Sequence, residues 1–192
     1  MQTSAPFGLR PAYHPSGTIR PRAGTITTGY TANIFMNAPV GLLADGSIAL
    51  AAAGGTTTTG AVGVFQGCEY QLVATGPRVV SNMWPANLAA VNIVAYYTDD
   101  PTIVYEVQCS GLIPNGQGAI GAQFDWTANN TNSGNTVTGL SNCALDVASG
   151  AAQAGLRVVG ITKGPDNDWG DPYPVVQVQL AEHQYMTPLN QI

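Results

Sequence analysis

Val91-Asn92-Ile93-Val94-Ala95-Tyr96-Tyr97 and Ile103-Val104-Tyr105-Glu106-Val107-Gln108 decide the fold class of this chain. Both runs are rich in β-branched and aromatic residues, which suit a pleated, half-buried surface. In the second run Ile103, Tyr105 and Val107 alternate with Val104, Glu106 and Gln108, the period of two expected of a strand with one wet face. The two runs are expected to pair as strands joined across the turn Asp99-Asp100-Pro101.

Working outward, the rest of the chain repeats that pattern of short apolar runs separated by turn residues. Towards the N-terminus, Asn33-Ile34-Phe35-Met36 stops at Asn37-Ala38-Pro39, and Val40-Gly41-Leu42-Leu43 meets Ile48-Ala49-Leu50-Ala51 across Asp45-Gly46. Asp-Gly between apolar runs is a strong hairpin signal. Residues 54–60 read as a Thr-rich polar loop, and Ala61-Val62-Gly63-Val64-Phe65 resumes as a strand. Towards the C-terminus come residues 122–126, an Asn- and Thr-rich loop over 128–138, and the runs 144–147, 156–161 and 175–180, the last cleanly alternating. Charged helix formers are scarce, with one Lys (Lys163) and three Glu (Glu69, Glu106, Glu182), while Gly and Pro number 23 and 13. The expected class is all-β, built as one or two small β-barrel modules, with an arm over residues 1–23, a first module over 24–110 and a second over 111–192. The turn-rich stretch 110–121 divides them.

Charge narrows the function. Six basic and eleven acidic residues make only 9% of the 192 positions charged, where about 25% is usual for a soluble domain. Such a skin suits a subunit that covers itself with copies or partners. Arg10, Arg20 and Arg22 give residues 1–22 a charge of +3, with no acid, on a body of −8. Pro6, Pro11, Pro15 and Pro21 favour an extended conformation there, so the arm is expected to lie along an acidic groove of a protein partner, with a frayed terminus of incidental charge as the alternative. Three Arg on an acidic body are a poor match for nucleic acid. No run of the sequence reaches membrane-spanning length, and the start Met1-Gln2-Thr3 lacks a basic region followed by an apolar one, so cytosolic synthesis is expected.

Motifs for chemistry are weak. Cys68, Cys109 and Cys143 are widely spaced, as small buried hydrophobes are, and imply neither disulfide nor zinc. Gly116-Gln117-Gly118-Ala119-Ile120-Gly121 fits G-x-G-x-x-G but lacks the preceding strand and following helix of a dinucleotide site, and reads as a linker. Asp166-Asn167-Asp168-Trp169-Gly170-Asp171 departs from a Ca²⁺ loop because Gln177 stands where a bidentate Glu belongs. His14 and His183 lack a nucleophile motif. No catalytic residue, metal ligand or cofactor is therefore assigned.

Several segments together resemble the capsid decoration, or cement, proteins of tailed bacteriophages. They are Phe7-Gly8-Leu9-Arg10-Pro11, Asn33-Ile34-Phe35, Val62-Gly63-Val64-Phe65-Gln66-Gly67, Asp99-Asp100-Pro101, Leu156-Arg157-Val158-Val159-Gly160, Pro165-Asp166-Asn167 and Glu182-His183-Gln184. The Thr-rich loop and Gly164, where a basic residue would be expected, depart from that pattern. The resemblance implies a β-barrel virion protein on the outer surface of the head, made in the bacterial cytoplasm, that bridges neighbouring major capsid subunits against internal DNA pressure. It implies self-association, a homotrimer ahead of a homodimer, and no direct contact with nucleic acid or membrane. Capsid-binding residues on this reading are Phe7, Arg10, Tyr13, Arg20 and Arg22, with the Arg side chains on acidic groups and Phe7 and Tyr13 as anchors. Two alternatives are a carbohydrate- or receptor-binding module using Trp126 and Trp169, and the shell subunit itself, whose family fold would require a long helix.

Overall fold

The computed structural model describes residues 3–52 and 60–186. The first strands are β1 (Arg10–Tyr13), β2 (Arg22–Gly24), β3 (Ile34–Phe35), β4 (Pro39–Leu42), β5 (Ile48–Leu50), β6 (Gly63–Gln71) and β7 (Arg78–Ser81). They are followed by β8 (Met83–Trp84), β9 (Val91–Thr98), β10 (Val104–Gln108), β11 (Gln123–Phe124), β12 (Leu156–Ile161) and β13 (Val175–Leu180). The fold is all-β, and its one helical element among the described residues is a 3-10 turn over Gly116–Ala119.

One sheet has the order β1-β10-β13-β12-β11 and the other β2-β9-β6-β4-β5, with β7 added to the far end of β6 and a small β3-β8 pair alongside. Every pairing between these strands is antiparallel. The Asp45-Gly46 hairpin is present as read: Leu42 pairs with Ile48, Gly46 takes φ 80°, and Asp45 Oδ1 accepts from the Ser47 amide and hydroxyl. The Thr-rich loop reading over 54–59 lies outside the described residues.

Three expectations are corrected. β9 and β10 do not pair with each other: β9 lies between β2 and β6, and β10 between β1 and β13. Asp99-Asp100-Pro101 does turn the chain, with the Ile103 amide bonded to the Asp100 carbonyl, but it carries the chain from one sheet to the other. The expected wet face of β10 is covered, because Gln108 is buried where its side chain accepts from the Ala5 amide and donates to the Thr3 carbonyl.

The two sheets do not divide at 23 or at 110. β10 belongs to the sheet of β11 to β13, and β1 and β2 of the arm edge the two sheets. The loop after β11 reaches back: Asn129 Nδ2 donates to the Pro39 and Ala51 carbonyls, and the Asn33 amide and side chain bond Thr131. Beyond β13, Gln184 accepts from the Leu42 amide and donates to its carbonyl. Buried apolar side chains form two clusters. One is built mainly on the first sheet and contains Leu9, Tyr105, Trp126 and Val178, with Val64 entering it from β6. The other lies against the second sheet around Phe65, Tyr70 and Trp84, the last two in edge contact at 5.5 Å. Burial on this scale is the main term favouring the fold.

Candidate functional site

The five residues expected to bind a partner lie on one extended segment that the body holds at several points. β1 hydrogen-bonds to β10, and β2 to β9, so the arm is the edge strand of each sheet in turn. Leu9, the residue just before β1, is wholly buried. Gly8 has φ 78°, and a Cβ there would overlap the Asn37 carbonyl, so only glycine lets the arm pass this close to the turn before β4. The Leu9 amide donates to the Asn37 carbonyl at 2.8 Å and Asn37 Nδ2 to the Phe7 carbonyl at 3.0 Å. The expectation of an arm free to lie on something else is therefore corrected for its backbone.

Its charges are largely used within the chain as well. Arg10 pairs with Glu106 at 2.6 Å and lies over the Phe7 ring, 4.9 Å from its centroid. Arg22 pairs with Asp99 at 2.7 Å, and that hydrogen bond raises its pKa above the ordinary value. Arg20, in contrast, is exposed and makes no ion pair among the described residues, and Tyr13 projects its ring half into solvent. Both Arg10 and Arg22 have side chains that are more than half exposed, so their pairs are screened and fix the arm's register more than they add stability.

His14, which the sequence left without a role, is a clasp between the arm and the inter-sheet crossover. Its Nδ1 lies 2.6 Å from the Ser16 hydroxyl, and its Nε2 lies 2.6 Å from the Thr102 hydroxyl and 3.1 Å from Asp100. Thr102 is the larger influence on Asp100, whose carboxyl is held below its usual range first by the Thr102 hydroxyl, then by the Thr102 amide, with His14 adding less.

A pocket of about 470 Å³ opens beside the arm. Phe7, Pro11, Ile19, Pro21, Met36 and Leu140 form its apolar lining, with Arg10 and Gln66 among its polar lining. Phe7 and Arg10 are thus brought to one concavity, while Tyr13, Arg20 and Arg22 are not part of its wall. Sequence reasoning missed Met36, Asn37, Gln66 and Leu140. The available signal was Asn37 before Ala38-Pro39: Asn tolerates the left-handed region it occupies here, φ 68°.

The remaining motifs form turns and core packing. Asn167 donates from Nδ2 to the Thr162 and Val175 carbonyls and accepts from the Val175 amide, closing the connection from β12 to β13. Asp171 accepts from the Asp168 amide in the same turn, and no group of three or more metal-ligating side chains occurs among the described residues. Gly116 to Ala119 form the 3-10 turn, after Asn115 at φ 62°. Trp84 and Trp126 are fully buried and Trp169 is half-buried. A sugar platform using Trp126 is accordingly corrected: its ring fills the core above Gly155.

All three cysteines are buried free thiols, and burial pushes Cys68 and Cys109 up to about 12 and Cys143 up to about 11. Thiolate is the reactive form. The folded chain should therefore leave iodoacetamide unreacted for as long as it stays folded, with three thiols alkylated in denaturant; rapid native labelling at any of them would contradict this burial.

His183 is buried at 3% exposure, accepts from the Tyr185 amide at Nδ1, and bridges to Ala61. Burial is the main cause that lowers its pKa; the Val62 and Asp99 backbone and the charges of Asp99 and Asp100 oppose it more weakly. The unfolded chain takes up a proton near pH 6.5 that the folded chain resists, so acid favours unfolding. Stability should be level in this group above about pH 6.5 and fall below it. Urea midpoints at pH 7.5 and pH 5 compared between wild type and His183→Gln would show it, the variant losing part of the slope. An equal slope in both would assign the acid sensitivity elsewhere.

Comparison with protein-family models, with curated proteins and with solved structures finds no match for this chain.

Proposed function

We propose that the chain is a bacteriophage virion structural protein that binds the outer surface of the head and cements neighbouring major capsid subunits, assembled as a homo-oligomer. The observation that carries this reading is a surface poor in charge and rich in exposed apolar side chains. Few residues are charged to begin with, and Arg10, Arg22 and Arg78 are already spent on acids of the same chain. Leu112, Ile120 and Val137 meanwhile stand in solvent, Val137 at 93% exposure. A surface of this kind is soluble at low concentration and gains by being covered. The sequence resemblance supplies the partner, and the arm supplies a contact surface in which the Phe7 pocket receives an apolar side chain and Arg20, without an ion pair among the described residues, meets a carboxylate. Several such contacts per oligomer would multiply a modest site affinity.

Mixing the purified protein with undecorated, expanded heads and imaging by cryo-electron microscopy tests the reading. Regular density at capsomer junctions is expected, and bare shells with the protein left in the supernatant would overturn it. Within this reading Arg20→Ala should keep the wild-type unfolding midpoint and bind heads more weakly. Undiminished head binding by that variant would remove the arm's charge from the contact.

A further inference from the structure

The second sheet carries an outer face that stays exposed among the described residues. Residues paired directly across strands share a face, so Glu69, Gln71, Arg78, Val80, Val91 and Val94 point together, opposite to the buried Cys68, Tyr70 and Ala95. Val80 is 79% exposed, and Leu72 and Val73 in the adjoining hairpin, with Val91 beside it, are exposed too. β7 is also an edge strand: its outer backbone groups have no strand partner among the described residues. An apolar edge left in this state invites pairing.

We infer that this face, centred on Val80, is the surface through which two copies of the chain associate about a twofold axis. The inference deepens the self-association included in the reading above and rests on that reading, but not on the head as partner. Charge selects the occupant. The chain as a whole carries −5, which opposes self-contact over most of its surface. On this face the charged groups cancel: Arg78 bonds Glu69 at 2.6 Å, and the Tyr96 hydroxyl donates to the same carboxylate at 2.8 Å. That neutralisation lowers Glu69 below its usual carboxylate range, with Tyr96 the larger cause. An isologous interface requires a patch that complements itself. Here Val80 meets Val80, and each Arg78, about half exposed, can share the Glu69 of its mate without leaving its own. A partner with a strongly charged surface would find nothing to pair with.

Sedimentation velocity of the full chain over a concentration series, with Val80→Glu beside wild type, tests this. Val80 touches little within its own chain, so the variant should unfold at the wild-type midpoint. The wild type should sediment as a dimer and the variant as a monomer, its dissociation constant raised by at least about a hundredfold, because two like charges would face each other across the axis. Val80→Thr, which removes apolar area and adds no charge, should weaken the dimer less than Glu does. A wild type that stays monomeric, a trimer, or a Val80→Glu oligomer of unchanged strength would each overturn the inference. Dimerisation lost in Val80→Glu by a protein that ignores heads would uphold this surface and reject the capsid reading.

Discussion

A chain lacking residues 1–22 is expected to lose its cooperative unfolding transition. The sequence alone would have the body fold without this segment, since four prolines and three arginines look like a solvent-facing arm. The structure makes it part of two sheets and the core. Truncation removes β1, whose residues pair with Tyr105 and Glu106 of β10, and takes Arg22 from β2. It also removes the wholly buried Leu9 and the cover over Gln108. Leu9 alone represents about 1.5–3 kcal/mol of burial. Each stranded buried backbone or amide group adds about 1–3 kcal/mol. Against a typical net stability of about 5–15 kcal/mol, the sum is enough to unfold the chain. Near-ultraviolet circular dichroism and urea titration would report it. Leu9→Ala is the graded version, with an expected loss of about 2–5 kcal/mol. A truncated chain that melts cooperatively at the wild-type midpoint would show that the arm is an accessory after all, and would return Arg10 and Arg22 to the pool of free contacts.

That reversal shows what a sequence of this kind reveals. Strand identity was legible because it is local: β13 alternates half-buried and buried positions along Val175–Leu180 as its residues alternate, and Asp45-Gly46 turns where its chemistry requires. Strand partnership was not, because it is decided far away. β9 and β10 are separated by five residues, yet each finds its neighbours elsewhere: β10 needs β1 and β13, and β9 needs β2 and β6. Nothing in Val104 to Gln108 announces that Gln108 will be buried by Thr3 and Ala5. The arm did carry a signal, Phe7-Gly8-Leu9, in which one glycine between two apolar residues marks a close approach of backbone. The Pro and Arg content around it is what made the segment look solvated. For the candidate site, Phe7 and Arg10 were legible as an aromatic anchor and a cation, whereas the pocket joining them to Met36, Gln66 and Leu140 exists only once three segments distant in sequence converge.

The crossover that defeated the sequence reading is also where one added methyl group should do the most damage. Gly63 opens β6 beside Val40, and the chain leaving β9 passes directly over it. A Cβ at Gly63 would overlap the Thr98 carbonyl oxygen, lie 2.6 Å from the Thr98 carbonyl carbon and 3.3 Å from the Asp99 Cα. These are backbone atoms at the point where both sheets meet, so no side chain can swing aside. The Thr98 hydroxyl, which is 2.9 Å from the buried Tyr105 hydroxyl, ties the same spot to the other sheet. Gly63→Ala must therefore push β6 from β9, or displace the Asp99-Asp100-Pro101 crossover that Arg22 and His14 clasp. The expected loss exceeds about 4 kcal/mol, a size reserved for core overpacking and similar faults. Gly46→Ala is the matched control: φ is 80° there but a Cβ would meet nothing within 4 Å, so only the left-handed backbone is strained, at about 1–2 kcal/mol. Urea titrations of the two variants decide the matter. If Gly63→Ala is no worse than Gly46→Ala, the two sheets do not meet as closely at this crossover as the structure has them.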